Sequence, residues 1–132
     1  MFIKIDFKSK IPIYLQLRNQ IVHAIASGKL KKNESLPSVR QLAKDLGINM
    51  HTINKSYKIL QNENFVSIHK RKGVQINTYE EIKDSSFEKK LSDKLKPILA
   101  EAHCKGVTEK KVNDIVKQIY HYFSKEESDG NN

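Results

Sequence analysis

The chain has one cysteine and no long hydrophobic segment, and these features limit the cellular compartments in which we expect it. Cys104 has no second cysteine with which to form an internal disulfide, which fits a reducing compartment. No segment reaches the roughly 18 apolar residues of a membrane-spanning helix. The apolar run at the start of the chain is too short, and too often interrupted by polar residues, for a signal peptide. We therefore expect a cytoplasmic protein without a membrane partner.

The motifs on which several large enzyme classes depend are also missing. The sequence contains no phosphate-binding glycine loop, no metalloprotease motif and no nucleophile elbow. No internal repeat is present either. The sequence therefore predicts a protein that is not an enzyme and that carries no cofactor and no metal.

Acidic residues are scarce in the first 76 positions, and the positive charge is concentrated there. The whole chain of 132 residues carries 24 Lys and Arg against 15 Asp and Glu, a net charge of +9. Residues 1–76 hold 14 basic and 4 acidic residues, a net +10, whereas residues 77–132 hold 10 and 11, a net −1. Such a basic segment favours a polyanionic partner, either nucleic acid or an anionic membrane surface.

Helical periodicity predicts three helices within this basic part. After a small strand or extended arm near the N-terminus, a first helix begins with Pro12 and ends at Gly28. A second helix is predicted over 38–46, where Ser38 begins a capping-box pattern. A short glycine-containing turn leads to a third helix over 50–62, which is too short to be stable alone.

Two β-prone segments, 65–68 and 74–76, enclose a basic loop and predict a protruding hairpin. Helix, tight turn, helix and hairpin together predict a winged helix-turn-helix domain over residues 1–76. A helix 10–12 Å across fits the ~12 Å major groove of DNA. One face of the third helix would pack inward, with Tyr57 in the core, and the other would read base edges or grip phosphate.

The pattern alone identifies two groups of candidate DNA contacts. The first is the outward face of the third helix, which consists of His51, Thr52, Asn54, Lys55 and Lys58. The second is the loop of the wing, which consists of His69, Lys70, Arg71 and Lys72. Asn49 is in the first place an N-cap, and Ser38 a helix cap that is also a candidate phosphate ligand.

The stretch LPSVRQLAKDLGINMHTINKSYKIL (36–60) resembles the signature of the GntR family of bacterial transcription regulators. The preceding PIYLQLRNQIVHAIASGKL (12–30) is similar to the first helix of that family, and the resemblance covers about 11–76. ILAEAHCKGVTEKKVNDIV (98–116) and INMHTINKSY (48–57) resemble the short YtrA-like subgroup, in which two C-terminal helices form a dimerisation module. Asn64 stands where the family usually has glycine.

The resemblance implies functions for individual residues and for the whole protein. It implies that Arg40 contacts DNA, that Thr52 and its neighbours are the reading positions, and that Lys70 to Gly73 form the wing tip. It also implies a regulator, often a repressor, of a neighbouring transporter operon. The operator and the effector are not revealed, and a C-terminal module this small leaves little room for a ligand pocket.

The C-terminal part is predicted to be a linker over 77–81, a two-helix module over 82–123 and a polar tail over 124–132. Pro97 predicts a kink or break in the first of these helices. The two apolar stripes could be buried against each other, but two helices make a thin core, and we expect a homodimer to close it. The residues expected at that interface are Phe87, Leu91, Leu95, Ile98, Leu99, Val112, Ile115, Val116, Ile119, Tyr120 and Phe123.

Two other interpretations compete with that of a DNA-binding regulator whose C-terminal helices only dimerise. In the first, His103, Cys104 and His121 come together to sense a metal, although adjacent helical residues point about 100° apart and a tetrahedral site needs four ligands. In the second, the winged helix contacts protein or RNA. The fold class expected in every case is mainly α with a small β-hairpin.

Overall fold

A computed structural model describes residues 3–130, with side chains described as far as Ser124. This part of the chain is mainly helical, with one two-stranded antiparallel sheet. The elements in chain order are α1 (Ile13–Ala26), α2 (Val39–Leu46), α3 (Met50–Asn62), β1 (Val66–His69), β2 (Gly73–Ile76), α4 (Tyr79–Ile82), α5 (Phe87–Cys104) and α6 (Glu109–Gly130).

The core lies where the first three helices meet the sheet. Leu17 and Ile21 of α1, Leu42 of α2, and Ile53 and Leu60 of α3 are fully buried. Each such side chain contributes about 1.5–3 kcal/mol when it leaves water, which compensates for the low stability of three short helices. The result is the winged helix-turn-helix that the sequence predicts.

The N-terminal arm has no strand between residues 3 and 12, so the extended arm is the correct one of the two alternatives. Ile3 is buried in the core, and glutamine side chains of α1 hold the arm. The Lys4 N–H donates to Gln20 Oε1 at 2.9 Å, and the Asp6 N–H donates to Gln16 Oε1 at the same distance. The arm is therefore fixed by side chains instead of by pairing with another strand.

The ends of α1 and α2 differ slightly from the prediction. Pro12 is the residue before α1 and not its first helical residue. Ser38 Oγ accepts the Gln41 N–H at 3.1 Å, as a cap should. The capping box is incomplete, because the Gln41 amide donates to Asp45 Oδ1 at 2.7 Å instead of returning to the backbone of Ser38.

The tight turn between α2 and α3 has the predicted geometry. Gly47 has φ +66°, a left-handed conformation that ends α2 with little strain because glycine has no Cβ. Asn49 then caps α3 by accepting the His51 N–H at 2.7 Å. Asn64, two residues after the end of α3, has φ +67°, a left-handed conformation that asparagine tolerates better than most residues.

The hairpin is longer than predicted. His69 pairs with Gly73 and Val66 with Ile76, so His69 and Gly73 belong to the strands and only residues 70–72 form the loop. Asn77 closes the base of the hairpin, where its amide donates to Asn64 O at 2.8 Å. The loop at the tip of the wing is therefore short, and the base of the hairpin is attached to the end of α3.

The C-terminal half differs from the prediction in three places. The last three residues of the expected linker and Ile82, the first residue of the predicted module, form α4 (Tyr79–Ile82), so the longer helix begins at Phe87 and not at Ile82. α5 continues through Pro97 without a break, so of the two predicted alternatives, a kink or a break, the break is wrong. The helix that begins at the Thr108 cap continues to Gly130, which includes most of the predicted tail, and residues 131–132 lie outside the described residues. No helix in the described part of the chain is long and apolar enough to cross a membrane.

Candidate nucleic-acid interface

The third helix has the two faces that a recognition helix needs. Ile53, Ser56, Tyr57 and Leu60 are buried against the rest of the core. Thr52 is half-buried, and the other side chains predicted to read DNA are exposed on the opposite side: His51, Asn54, Lys55 and Lys58. The outward face consists of hydrogen-bonding and cationic groups, the types that recognise base edges and phosphates.

Two buried hydroxyl groups set the position of this helix. The Tyr57 hydroxyl donates to Pro37 O at 2.7 Å, which ties α3 to the start of α2. The Ser56 hydroxyl donates to Tyr14 O at 2.9 Å, which ties α3 to α1. Burial raises the pKa of the Tyr57 phenol, so it stays protonated and remains a donor. Tyr57 is thus a core residue, as the sequence predicts.

Lys55 has a neighbour that the sequence pattern does not identify. Its Nζ lies 3.9 Å from the centroid of the Tyr14 ring, a cation–π contact between α3 and α1. These residues are 41 positions apart in the sequence, and no local pattern connects them. The contact restricts the outward lysine while leaving it exposed.

The loop before α2 and the wing are joined by one backbone hydrogen bond and one from a side chain. The Leu36 N–H donates to Val74 O at 2.8 Å, and the Ser35 hydroxyl donates to Lys72 O at 3.3 Å. Residues 35–38 therefore contact the wing on one side, and through Pro37 they contact α3 on the other. The structure thus brings the three predicted DNA-contacting segments together around this loop.

The predicted contacts in α2 and in the wing are all accessible. Ser38 and Arg40 are exposed at the first turn of α2. The wing side chains Lys70, Arg71 and Lys72 are exposed as well, and Gly73 has φ +72° with open space around it. A cluster of cations on a protruding loop is suited to contact with phosphates.

His69 differs from the other wing residues because it lies close to α4. Its side chain makes a small electrostatic contribution to the lowered pKa of Glu81. Larger contributions come from the backbone N–H and the hydroxyl of Thr78, both of which donate to Glu81 Oε1 at 2.9 Å.

The apolar stripes of α5 and α6 are open to solvent in the single chain. No residue of α5 is buried, so the two helices do not bury their stripes against each other. Val112 and Phe123 are half-buried. Phe123 contacts His23 of α1, with ring centroids 5.3 Å apart, and Tyr122 contacts the same histidine at 5.4 Å. The other residues predicted at a dimer interface are exposed: Phe87, Leu91, Leu95, Ile98, Leu99, Ile115, Val116, Ile119 and Tyr120.

Metal ligands do not cluster in the part of the chain with described side chains. No three His, Cys, Asp or Glu side chains in this part are grouped so that they could hold a metal ion. His103, Cys104 and His121 are each exposed on the C-terminal helices. A tetrahedral site built from these residues would need ligands from elsewhere.

A recognition helix with a polar outer face, held from behind by two helices and followed by a basic wing, defines a DNA-binding transcriptional regulator. The chain belongs to the GntR family of bacterial regulatory proteins, whose family model matches residues 13–76. The resemblance seen in residues 36–60 is thereby confirmed.

Relatives that match along most of the chain refine this assignment. The HTH-type transcriptional repressor YtrA of Bacillus subtilis is 33% identical over 120 residues, which cover 89% of this chain and 91% of YtrA. YtrA from Sulfolobus acidocaldarius, a GntR-family transcription factor, is 39% identical and superposes with a TM-score of 0.65, covering 76% of this chain and 99% of that chain. These similarities confirm the predicted likeness to the YtrA-like subgroup.

A third structure superposes over most of both chains. A transcriptional antiterminator from Listeria monocytogenes EGD-e has a TM-score of 0.81 at 27% identity, covering 89% of this chain and 88% of that chain. The similarity therefore includes the C-terminal helices as well as the winged helix.

Proposed function

We propose that this regulator represses transcription by binding a two-fold-symmetric operator as a homodimer. The observation that carries the proposal is the pairing of an outward polar face on α3 with an open apolar face on α5 and α6. The first face has the chemistry to read DNA, and the second has the chemistry to bind another copy of the chain.

Sequence reading is assigned to α3 and positioning to the residues around it. His51, Thr52 and Asn54 lie near the N-terminus of α3, the part of a recognition helix that meets base edges. Arg40 is the strongest candidate for a bidentate contact because a guanidinium can donate two parallel hydrogen bonds. The remaining contacts to phosphate and sugar are assigned to Ser38, Asn49, Lys55, Lys58 and the wing residues 69–73.

Dimerisation is assigned to the apolar stripes of α5 and α6. Ile98 is 56% exposed and Ile119 is 48% exposed in the single chain, which is costly in water for side chains of this size. A second copy that packs on this face would cover both stripes. Two recognition helices related by the two-fold axis would then read half-sites about 34 Å apart.

Repression and the target genes are inferred from resemblance. YtrA of Bacillus subtilis is described as a repressor, and it matches this chain along most of both lengths. We infer the same sign of regulation here, with a neighbouring transporter operon among the targets. Transcript levels in a strain that lacks the gene would test this, because a repressor's targets should rise and an activator's should fall.

Selection of bound sites from random duplex DNA, followed by sedimentation of the complex, tests the operator and the dimer together. We expect inverted half-sites and two chains per duplex. Ile98→Lys should give a folded monomer that binds the operator weakly, whereas Lys94→Gln, on the same helix, should leave both properties unchanged. A wild-type monomer at micromolar concentration with undiminished binding to a half-site would refute the dimer.

Salt dependence and competition test whether the partner is duplex DNA. Each neutralised phosphate contributes about −0.9 to the slope of log K against log salt, so a dimer should show a slope of several units. In a competition experiment, unlabelled duplex DNA should displace labelled duplex DNA from the protein at concentrations at which RNA of equal length does not. A slope near zero, or preferential displacement by RNA, would contradict DNA as the partner.

A further inference from the structure

The N-terminal arm contains a loop, residues 6–11, that carries two lysines outside the region matched by the family model. Lys8 and Lys10 are exposed, and within the described part of the chain no ion pair or hydrogen bond engages either ammonium group. Asp6 is the one acidic residue of the arm, and its Oδ1 accepts the Lys8 backbone N–H at 3.0 Å. The loop therefore presents two cations beside one carboxylate.

One glutamine side chain holds both ends of this loop on α1. Gln16 Oε1 accepts the Asp6 N–H at 2.9 Å, and its amide nitrogen donates to Asp6 O at 3.0 Å and to Ile11 O at 2.8 Å. Within the loop, the Ser9 hydroxyl accepts the Ile11 N–H at 3.1 Å. The lysines thus extend from an ordered backbone, which loses less conformational entropy on binding than a free chain end would.

The end of α1 that carries the loop lies beside the recognition helix. Tyr14 O accepts the Ser56 hydroxyl at 2.9 Å, and the Tyr14 ring lies 3.9 Å from Lys55 Nζ. Lys10 is four residues before Tyr14, and four residues span no more than about 14 Å. That distance corresponds to about four base pairs at 3.4 Å per step. The loop is therefore close enough to reach the duplex that Lys55 contacts.

We propose that Lys8 and Lys10 contact backbone phosphates next to the half-site that α3 reads. The arm is then a DNA-binding element in addition to α2, α3 and the wing. Such charge-assisted contacts fix the protein on the duplex without reading its sequence. Continuity with the α3 face and charge complementarity select DNA as the partner of the loop. The proposal rests on the DNA binding that the proposed function assigns to α3.

The salt dependence of operator binding measures the number of contacts made by the arm. Lys8→Gln combined with Lys10→Gln removes two phosphate contacts, so the slope of log K against log salt should become less steep by about 1.8 for each bound chain. Lys94→Gln combined with Lys110→Gln removes the same charge from the C-terminal helices and should leave the slope unchanged. Equal slopes for the wild type and the arm variant would overturn the proposal.

Replacing single phosphates of the operator with uncharged methylphosphonates locates the contacts. At one or two phosphates in each half-site, the wild type should lose about fivefold in affinity, the loss typical of one exposed ion pair. The arm variant should be insensitive at these phosphates, while phosphates that face Lys55 stay sensitive in both proteins. Identical profiles for the two proteins would overturn the proposal, and any change in slope would then reflect the long-range charge of the loop.

A variant that keeps both lysines tests whether the loop must be held. Gln16→Ala removes the three hydrogen bonds to the loop and leaves its charge unchanged. It should reduce the loss of affinity at the phosphates assigned to the arm and leave the rest of the profile as in the wild type. Circular dichroism checks that α1 still folds. A profile equal to that of the wild type would refute the ordering of the loop by Gln16.

Failure of the arm contact and failure of the proposed function give different results. Wild-type protein that binds the operator with the same phosphate profile as the arm variant would overturn the arm contact alone. Wild-type protein that binds no duplex DNA would overturn both. Binding of a monomer to a half-site would refute the dimer, but a difference in profile between wild type and arm variant on that half-site would still support the arm contact.

Discussion

Lys55 Nζ lies 3.9 Å from the centroid of the Tyr14 ring, so a lysine of the recognition helix is held by the helix behind it. Such a contact contributes about 0.5–1 kcal/mol at an exposed site. It also limits the rotamers of Lys55 before DNA arrives. A lysine already ordered loses less conformational entropy when it meets a phosphate.

Replacing Lys55 should weaken binding to every duplex by a similar factor. Lys55→Gln removes one phosphate contact, so the salt slope should fall by about 0.9 per subunit. Tyr14→Phe keeps the ring and should have no effect, whereas Tyr14→Leu should weaken binding slightly by freeing the lysine. Filter binding at several salt concentrations checks this. A loss confined to the operator sequence would instead make Lys55 a base-reading residue.

Arg40→Ala and Thr52→Ala should weaken operator binding selectively. Loss of a bidentate base contact at Arg40 should cost about 1–3 kcal/mol per subunit, with a smaller loss at Thr52. Both positions lie outside the set of fully buried side chains, so the fold should be retained. Gln61→Ala, at the exposed far end of α3, is the control. Unchanged operator affinity with unchanged circular dichroism would remove the tested residue from the site.

Gly47→Ala should destabilise the helix-turn-helix through the backbone alone. A Cβ at this position meets no atom within 4 Å, but φ is +66°. A non-glycine residue in the left-handed region costs about 1–2 kcal/mol. Gly47→Asn should cost less because asparagine tolerates this conformation better. Urea denaturation measures both variants, and equal stability of Gly47→Ala and wild type would contradict the assigned strain.

The capping box of α4 should weaken in acid. Hydrogen bonds from Thr78 lower the pKa of Glu81 below its usual 4.5, so the carboxylate stabilises α4 at any pH above that value. This stabilisation is lost as the pH falls through the lowered pKa. An NMR titration should place the Glu81 midpoint below 4.5 in the wild type, and Thr78→Ala should return it towards 4.5. A wild-type midpoint at or above 4.5 would show that the box does not form in solution.

Local patterns predicted most of the winged helix because its elements are specified by nearby residues. Asn49 caps α3 and Gly47 ends α2 through bonds and dihedral angles within a few positions. The helix α4, which covers part of the expected linker, was not predicted. Residues 79–82 are too few for helical periodicity to show, and α4 is identified as a helix by its capping box and by backbone hydrogen bonds such as Lys83 N–H to Tyr79 O at 2.8 Å.

The candidate site was predictable in part. The alternation of buried and outward positions along α3 identifies His51, Asn54 and Lys55, because the 3.6-residue period is a property of the chain itself. Tyr14 and His23 were missed. Each contacts a residue more than 40 positions away, and nothing in the surrounding sequence marks that partner.

The sequence by itself determined approximately where the three helices of the winged helix-turn-helix lie, which faces are apolar and where the positive charge lies. These properties depend on backbone geometry and side-chain chemistry over one or two turns. Only the tertiary structure decided that residues 35–38 join the wing to α3, and that α1 begins beside Lys55 of α3. The tertiary structure also leaves the apolar stripes of α5 and α6 exposed to solvent in the single chain. Such contacts form between distant segments, and they depend on how packed elements exclude water from one another.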